Sequence, residues 1–515
     1  MSRSKKVTVI GAGPGGLAVS MLLVAKGYEV VVYEKQSYIG GRTSRLTLGE
    51  YNFDLGPTFF MMPGILEEIF QMAGRQLQDY VQIQEINPLY TLKFKDLSFT
   101  PTRNYEEMIQ EIENKFPGNG AGYDQFMKIE GEKFDRVTKL LQQPFTKITD
   151  LITRNMVSAF PKLNALDTVY GRLSNYFSDE RLKWAFSFQA KYLGMSPWEC
   201  PGTFTILSYL EHRFGLFHPI GGVNKLCEAM AQVIEEYGGK IHTGTGVKQV
   251  VVKEKKAVGV LLENGEMVPS DDVIINADFG HAATNLFKQR DLKKYRKENL
   301  EKKKLSCSTF MLYLGINKPL NLPHHMILFA DDYKQNVDEM TKEMKLSEDP
   351  SIYVHNPSKI DPTLAPKGKS ALYVLMPVPN LQADIDWGKE KHGVREKILS
   401  VLELEPELHD IRSHIEVEKI VTPIDWQNEM YVYKGATFSL AHNLSQMMYF
   451  RPHNKFEDVN HCFLVGGGTH PGSGLPTIFE SAKISATLLN QQYVKNNLYK
   501  EKQHSLDRKE PVLWK

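Results

Sequence analysis

Gly11, Gly13 and Gly16 form a GxGxxG run within Gly11-Ala12-Gly13-Pro14-Gly15-Gly16, and Glu34 follows 23 positions after Gly11. These residue types at this spacing suit a dinucleotide. Gly11 permits a tight turn, Gly13 lets a diphosphate approach bare backbone, and Gly16 lets a helix pack closely on a strand. Free N–H groups in the first helical turn then face the phosphates, and the Glu34 carboxylate accepts the ribose hydroxyls. Gly40-Gly41-Arg42 offers a second bare stretch with a cation beside it. From spacing alone, a surface turn is an equal reading of that triplet.

The elements needed to hold these residues are legible around them. Val7–Ile10 predicts a strand, Leu17–Lys26 a helix ended by Gly27, and Tyr28–Tyr33 a second strand. That order is a βαβ unit with short connections. Helix-like segments follow at Ile65–Met72 and Tyr105–Ile112, in a stretch from about 60 to 240 too irregular to yield a topology. Val223–Tyr237 reads as a helix closed by Gly238-Gly239. Val247–Val252 and Ala257–Glu263 read as strands, with a hairpin signal at Asn264-Gly265, and Val273–Ala277 reads as a buried strand.

Composition narrows the function classes. The chain has 515 residues, enough for two to four domains. A net charge of +1 gives no general reason to expect nucleic acid as a partner. Four cysteines without a CxxC pair indicate neither a disulfide framework nor a thiolate metal site, and fit a reducing compartment. His212 and His218 lie near Glu211, but six residues apart they miss the helical ligand spacing, so no metal is expected. The N-terminus lacks the longer apolar stretch of a signal peptide, and no run of about 18 apolar residues predicts a spanning helix. Residues 288–304 carry nine Lys or Arg against three Asp or Glu, which reads as a solvated helix face or as contact with an anionic membrane. Tyr431 and Tyr433 alternate as on a strand face.

A resemblance adds to this reading. Val7 to Arg45 resembles the amine oxidase and phytoene desaturase group of FAD enzymes. The segments Phe53-Asp-Leu-Gly56-Pro57-Thr-Phe-Phe-Met61-Met62-Pro63, Ala190-Lys-Tyr-Leu-Gly194-Met-Ser-Pro197 and His218-Pro-Ile-Gly221-Gly222 are similar to segments of bacterial carotenoid desaturases. So are Tyr449-Phe-Arg451-Pro-His-Asn454 and Leu464-Val-Gly466-Gly467-Gly468-Thr-His470-Pro471-Gly472-Ser-Gly474-Leu475-Pro476. Together these resemble the CrtI/CrtN-type carotenoid (phytoene and diapophytoene) desaturases from residue 7 to about 490.

The resemblance implies an α/β fold: a Rossmann-like FAD-binding domain, a mixed-sheet substrate domain and a helical membrane-facing subdomain. The FAD domain would comprise 1–75, 241–290 and 451–495. Residues 76–240 would form the substrate and membrane-facing region, 291–450 the rest of the substrate domain, and 496–515 a polar tail. Implied FAD contacts are Gly11, Gly13, Pro14, Gly15, Gly16, Glu34, Lys35, Gly41, Arg42, Gly56 and Pro57. Further along the chain they are Val247, Asp278, Gly467, Gly468, Gly474, Leu475, Pro476 and Thr477. His470 is a candidate for proton handling, against a structural role in its loop. Arg451 reads as a salt-bridge residue or a cofactor contact, and Asp54 as ordering the Gly56-Pro57 turn. The implied reaction is desaturation of a linear C30 or C40 isoprenoid by hydride transfer to flavin, with oxygen or a quinone reoxidising the cofactor. A carotenoid terminal-methyl oxidase is the alternative, because GGGTHPGSG departs from the desaturase pattern. The implied location is cytoplasmic and peripheral, on the inner face of the cell membrane.

Overall fold

A computed structural model describes residues 4–507. Its organising layer is a five-stranded parallel sheet in the order Cys462–Leu464, Asp272–Ile275, Lys6–Ile10, Glu29–Tyr33, Lys240–His242. Three distant stretches of chain therefore build one sheet. Four of the five residues of Lys6–Ile10 are buried, the pattern of a strand covered on both faces. One face packs against the helices Pro14–Val24, Asn224–Glu236 and the start of Leu475–Asp507. The other packs against a three-stranded antiparallel meander, Val247–Lys253, Lys256–Leu262 and Met267–Pro269. Asn264-Gly265 makes the turn between the last two of these, with Gly265 at φ +91.

A seven-stranded mixed sheet forms the second layer. Its order is Ile415–Val421, Ser308–Ile316, Ser370–Val378, Ile352–His355, His325–Leu328, Thr91–Lys93, Ser98–Phe99. All pairs are antiparallel except His325–Leu328 with Thr91–Lys93. One face is closed by the helix Trp387–Leu402. Helices between Tyr105 and Phe214 enclose an aromatic core that includes Phe126, Phe177, Phe186 and Tyr123, and this core continues to Phe329 and Tyr333 beside the mixed sheet.

Several elements differ from the sequence-based expectations. Residues 288–304 do not form one helix face. They make a short 3-10 turn at Gln289–Asp291 and a single helical turn at Lys297–Leu300. The segment is tied down by Asp458, which accepts the N–H groups of Lys293, Lys294 and Tyr295. Tyr431 and Tyr433 do not alternate on a strand: Tyr431 has φ 56, and Tyr433 begins a 3-10 turn. The last helix runs through Asp507 into the expected polar tail, whose remainder, 508–515, lies outside the described residues. Asp54 orders a different turn from the one expected. Its Oδ1 accepts the Val223 N–H at 2.7 Å, at the start of Asn224–Glu236, and burial lifts the carboxyl to about 6. All four cysteines are free and buried. No helix among the described residues is long and apolar enough to cross a membrane.

Candidate functional site

A cavity of about 470 Å³ opens at the carboxyl ends of the parallel strands and runs toward the mixed sheet. This is where open α/β sheets bind ligands, beside the strand from which the chain crosses in both directions. Gly11, Gly13 and Pro14 line it between Lys6–Ile10 and the helix Pro14–Val24. The sequence enforces this turn. Gly11 has φ +95, and a Cβ there would stand 2.6 Å from the Asn276 carbonyl oxygen. Pro14 occupies the first helical turn, where its missing N–H costs no intrahelical bond. Gly15 and Gly16 do not line the cavity. Gly16 instead permits the close packing of helix on strand, because a Cβ there would lie 2.2 Å from the Gly11 carbonyl oxygen.

Glu34, Lys35, Gly41 and Arg42 line the next stretch. The Glu34 carboxylate is buried and accepts the N–H groups of Ala12 and Gln36, each at 2.8 Å. Burial raises its pKa while these bonds oppose the shift. Lys35 pairs with Glu263 at 2.8 Å, and its ammonium sits 4.4 Å from the centre of the Tyr431 ring. Arg42 donates to the Thr437 carbonyl at 2.7 Å and faces Asp278 at 3.9 Å. Gly56, Pro57, Val247 and Asp278 complete this part of the wall. From the C-terminal run, Gly467, Gly468, Gly474, Leu475 and Pro476 line the cavity. Thr477 does not, its hydroxyl lying 2.8 Å from the Ser473 carbonyl oxygen in the first turn of the last helix.

His470 is not a cavity residue either. Its Nε2 lies 2.9 Å from the Gln143 carbonyl, its ring meets Phe145 edge-on, and burial pushes its pKa down to about 3. A ring so placed holds its loop against the helical layer. Arg451 is neither a salt-bridge residue nor a wall residue. It is fully buried and donates to the carbonyls of Gly467 at 2.6 Å, Thr469 at 3.2 Å and Gln446 at 3.3 Å. No carboxylate pairs with it among the described residues, and burial lowers its pKa to about 9. It clamps the backbone that carries Gly467 and Gly468 to the cavity.

Sequence reasoning assigned no wall role to three sets of residues, although it called for an aromatic or apolar tunnel. Asn276, just beyond Asp272–Ile275, donates to the Val465 carbonyl at 3.1 Å while its buried Oδ1 has no protein partner. Much of the lining is apolar and aromatic, with Phe59, Phe188, Tyr192, Phe329, Tyr353 and Phe438 contributed by four separate regions of chain. Lys191 also lines the cavity, and no carboxylate pairs with it among the described residues. Its ammonium lies 4.5 Å from the centre of the Tyr333 ring, and burial lowers its pKa to about 7. Only the resemblance of Ala190–Pro197 to a carotenoid-desaturase segment pointed near it.

These residues fit a flavin dinucleotide. Bare backbone at Gly11–Gly13 and Gly467–Gly468 admits phosphates and a ring edge. Helix starts at Pro14 and Leu475 supply N–H groups for negative charge. Asn276 Oδ1, which has no protein partner, belongs to a residue of the cavity wall, where a polar ligand can satisfy it.

The chain matches the family of flavin-containing amine oxidoreductases over residues 14–490. It is 46% identical over 493 residues to a 4,4'-diapophytoene desaturase (4,4'-diapolycopene-forming) of Methylomonas sp., covering 96% of each chain. It is 36% identical to an all-trans-zeta-carotene desaturase of Myxococcus xanthus, covering 96% of this chain and 95% of that one. It is 35% identical to a lycopene-forming phytoene desaturase of Pseudescherichia vulneris, covering 94% and 99%. Among solved structures, putrescine oxidase superposes with a TM-score of 0.63 at 14% identity, over 96% of this chain and 99% of that one. An oxidoreductase from Methanosarcina mazei gives 0.61 at 20% identity, over 93% and 99%. With the α/β fold, the glycine-lined cavity and these matches together, the chain belongs to the flavin-containing amine oxidoreductase family, in its carotenoid-desaturase branch, and is an FAD-dependent oxidoreductase.

Proposed function

We propose that this chain desaturates a linear C30 or C40 isoprenoid, with 4,4'-diapophytoene as the first substrate to offer. The observation that carries the reading is a single cavity lined both by bare glycine backbone and by aromatic, apolar side chains. The named relatives support it, since each is a desaturase of such a chain. On this reading 1–75, 241–290 and 451–495 form the FAD domain, and oxygen or a quinone reoxidises the cofactor.

Bound there, the flavin supplies a two-electron acceptor for the hydrogen leaving an allylic carbon. The protein's own residues do the rest. Phe59, Phe188, Phe329 and their neighbours take the polyene out of water, at about 25 cal/mol per Å² of apolar surface buried. Aromatic faces also favour positive charge developing on the conjugated chain. A proton must then leave the adjacent carbon. Lys191 is the cavity residue suited to accept it, because burial lowers its pKa to about 7 and the neutral amine predominates above that pH.

Expression in cells that make 4,4'-diapophytoene is expected to yield longer chromophores, seen as a red shift of extracted pigment and as loss of hydrogen pairs by mass spectrometry. A parallel C40 background sets the preferred chain length. Aldehydes formed only from 4,4'-diaponeurosporene, with no new double bonds, would replace desaturation with terminal-methyl oxidation.

So apolar a substrate resides in membranes, and an attachment surface goes with the reading. Ile148, Ile152, Val157, Phe160 and Leu166 are exposed in the helical layer, with Leu166 at 83%. Phe450, also exposed, belongs to a turn that packs on Ile148–Ile152. Such clustering of large apolar side chains marks an interaction surface. It stands in place of the basic segment 288–304 that composition suggested. The wild-type protein is expected to float with anionic liposomes, and the double variant Ile152→Glu/Phe160→Glu to float several-fold less. Equal flotation of the two would remove this surface from consideration.

A further inference from the structure

We propose that His218, His324 and His355 form a buried binding site for a zinc-class divalent metal ion, set behind the cavity wall. Sequence spacing paired His218 with His212 and gave no ligand pattern. Folding instead brings His218 to two histidines more than a hundred residues away. His218 lies on the strand Leu216–Pro219, His324 immediately precedes His325–Leu328, and His355 ends Ile352–His355. All three are buried, and one nitrogen from each lies within 4.8 Å of the others. In a tetrahedral zinc site with bonds of about 2.0–2.1 Å, ligand nitrogens stand about 3.3 Å apart. Small side-chain movements close the gap.

The hydrogen bonds leave the right atoms bare. His218 Nε2 lies 2.9 Å from Asp361 Oδ2, while its Nδ1 has no partner. Asp361 is itself held by the Gly221 N–H at 2.7 Å and the Thr363 hydroxyl at 2.6 Å. A carboxylate gripping the far nitrogen of a histidine is how metal-binding imidazoles are oriented. His324 Nδ1 contacts His325 Nε2 at 2.9 Å, leaving His324 Nε2 unpartnered, and neither nitrogen of His355 has a partner. Burial holds the His324 and His355 imidazoles well below their ordinary pKa, so each presents a neutral ring. A buried nitrogen without a partner is costly, and each of the three clustered histidines has at least one, so the cluster favours an occupant. A metal ion satisfies all three, with a fourth position left for water.

The site reaches the cavity wall by one chain of bonds. His325 Nδ1 lies 2.7 Å from the Tyr353 hydroxyl, which lies 2.6 Å from Thr58 Oγ1. Tyr353 and Thr58 both line the cavity. The ion therefore ties three strand segments together and fixes Tyr353, a structural role outside the redox step.

The test is elemental analysis of untagged, flavin-loaded protein purified without metal-affinity resin from zinc-replete cells. One zinc-class ion per chain is expected. His324→Ala and His355→Ala should each lower that content at least tenfold while the flavin-to-protein ratio stays at the wild-type value. Growth in cobalt should add ligand-field absorption on the long-wavelength side of the flavin band, absent from both variants. Wild-type protein that carries no metal, and takes up neither zinc nor cobalt, overturns the proposal in favour of an ordered water among the three rings. So does full metal content in both variants. Should either variant fail to fold, the wild-type content decides alone.

Discussion

Gly13→Val protein is expected to fold and to purify colourless. Gly13 caps the first helix with φ −74, a conformation open to any residue, so the backbone itself is not strained by the change. Valine at such a cap costs about 1 kcal/mol, small against a typical stability of about 5–15 kcal/mol. The damage falls on the ligand. A Cβ at residue 13 stands 2.8 Å from Asn276 Oδ1, and one added at Gly41 would stand 3.6 Å from the Gly13 Cα, so both glycines crowd the same wall. The valine methyl groups would fill space through which a diphosphate must reach the N–H groups of the helix start. A flavin-to-protein absorbance ratio below a tenth of wild type, with an unchanged far-ultraviolet circular dichroism spectrum, is the expected outcome. A yellow protein of normal stoichiometry would mean that the diphosphate lies elsewhere.

Lys191→Met should lower turnover by about 10²–10⁴-fold, the usual contribution of a positioned base. Methionine keeps the length and the apolar stem, so flavin content and substrate affinity should change little. The sign of the pH dependence follows from the depressed pKa. The proton acceptor is the neutral amine, so wild-type kcat should rise as pH passes through about 7 and level off above it. Below that point the ammonium also opposes the reaction. Two like charges about 4 Å apart repel by about 4 kcal/mol at an effective dielectric of 20, and the polyene becomes cationic as hydride leaves. The variant should lose the alkaline rise along with the rate. Chemical reduction of its flavin by dithionite should proceed as in wild type, which separates a lost base from a damaged cofactor site. A Lys191→Met enzyme with wild-type turnover and an unchanged pH profile would exclude Lys191 as the base.

The first forty residues illustrate what is legible without a structure. The strand at Lys6–Ile10, the glycine turn, the helix from Pro14 and the strand ending at Tyr33 follow from contiguous residues, because a left-handed glycine, a proline at the first helical turn and a run of buried valines each act over a few positions. The same holds for the hairpin at Asn264-Gly265. Gly11, Gly13 and Glu34 could be assigned to one ligand for this reason. Gly16 and Thr477 belong to the same motifs, yet Gly16 serves helix–strand packing and Thr477 donates back to the Ser473 carbonyl, a distinction set by which side of a turn faces the cavity.

Local pattern alone therefore determined the nucleotide-binding start of the chain, its glycine-rich end and its kinship. Only tertiary packing decided that Arg451 clamps a loop rather than pairing with an acid, that His470 faces Phe145, that burial lowers the Lys191 pKa, and that His218 meets His324 and His355. Each of these depends on desolvation and on contacts between residues far apart in the chain. A side chain's charge state and partners are set by what surrounds it after folding, and no short window of sequence contains that information.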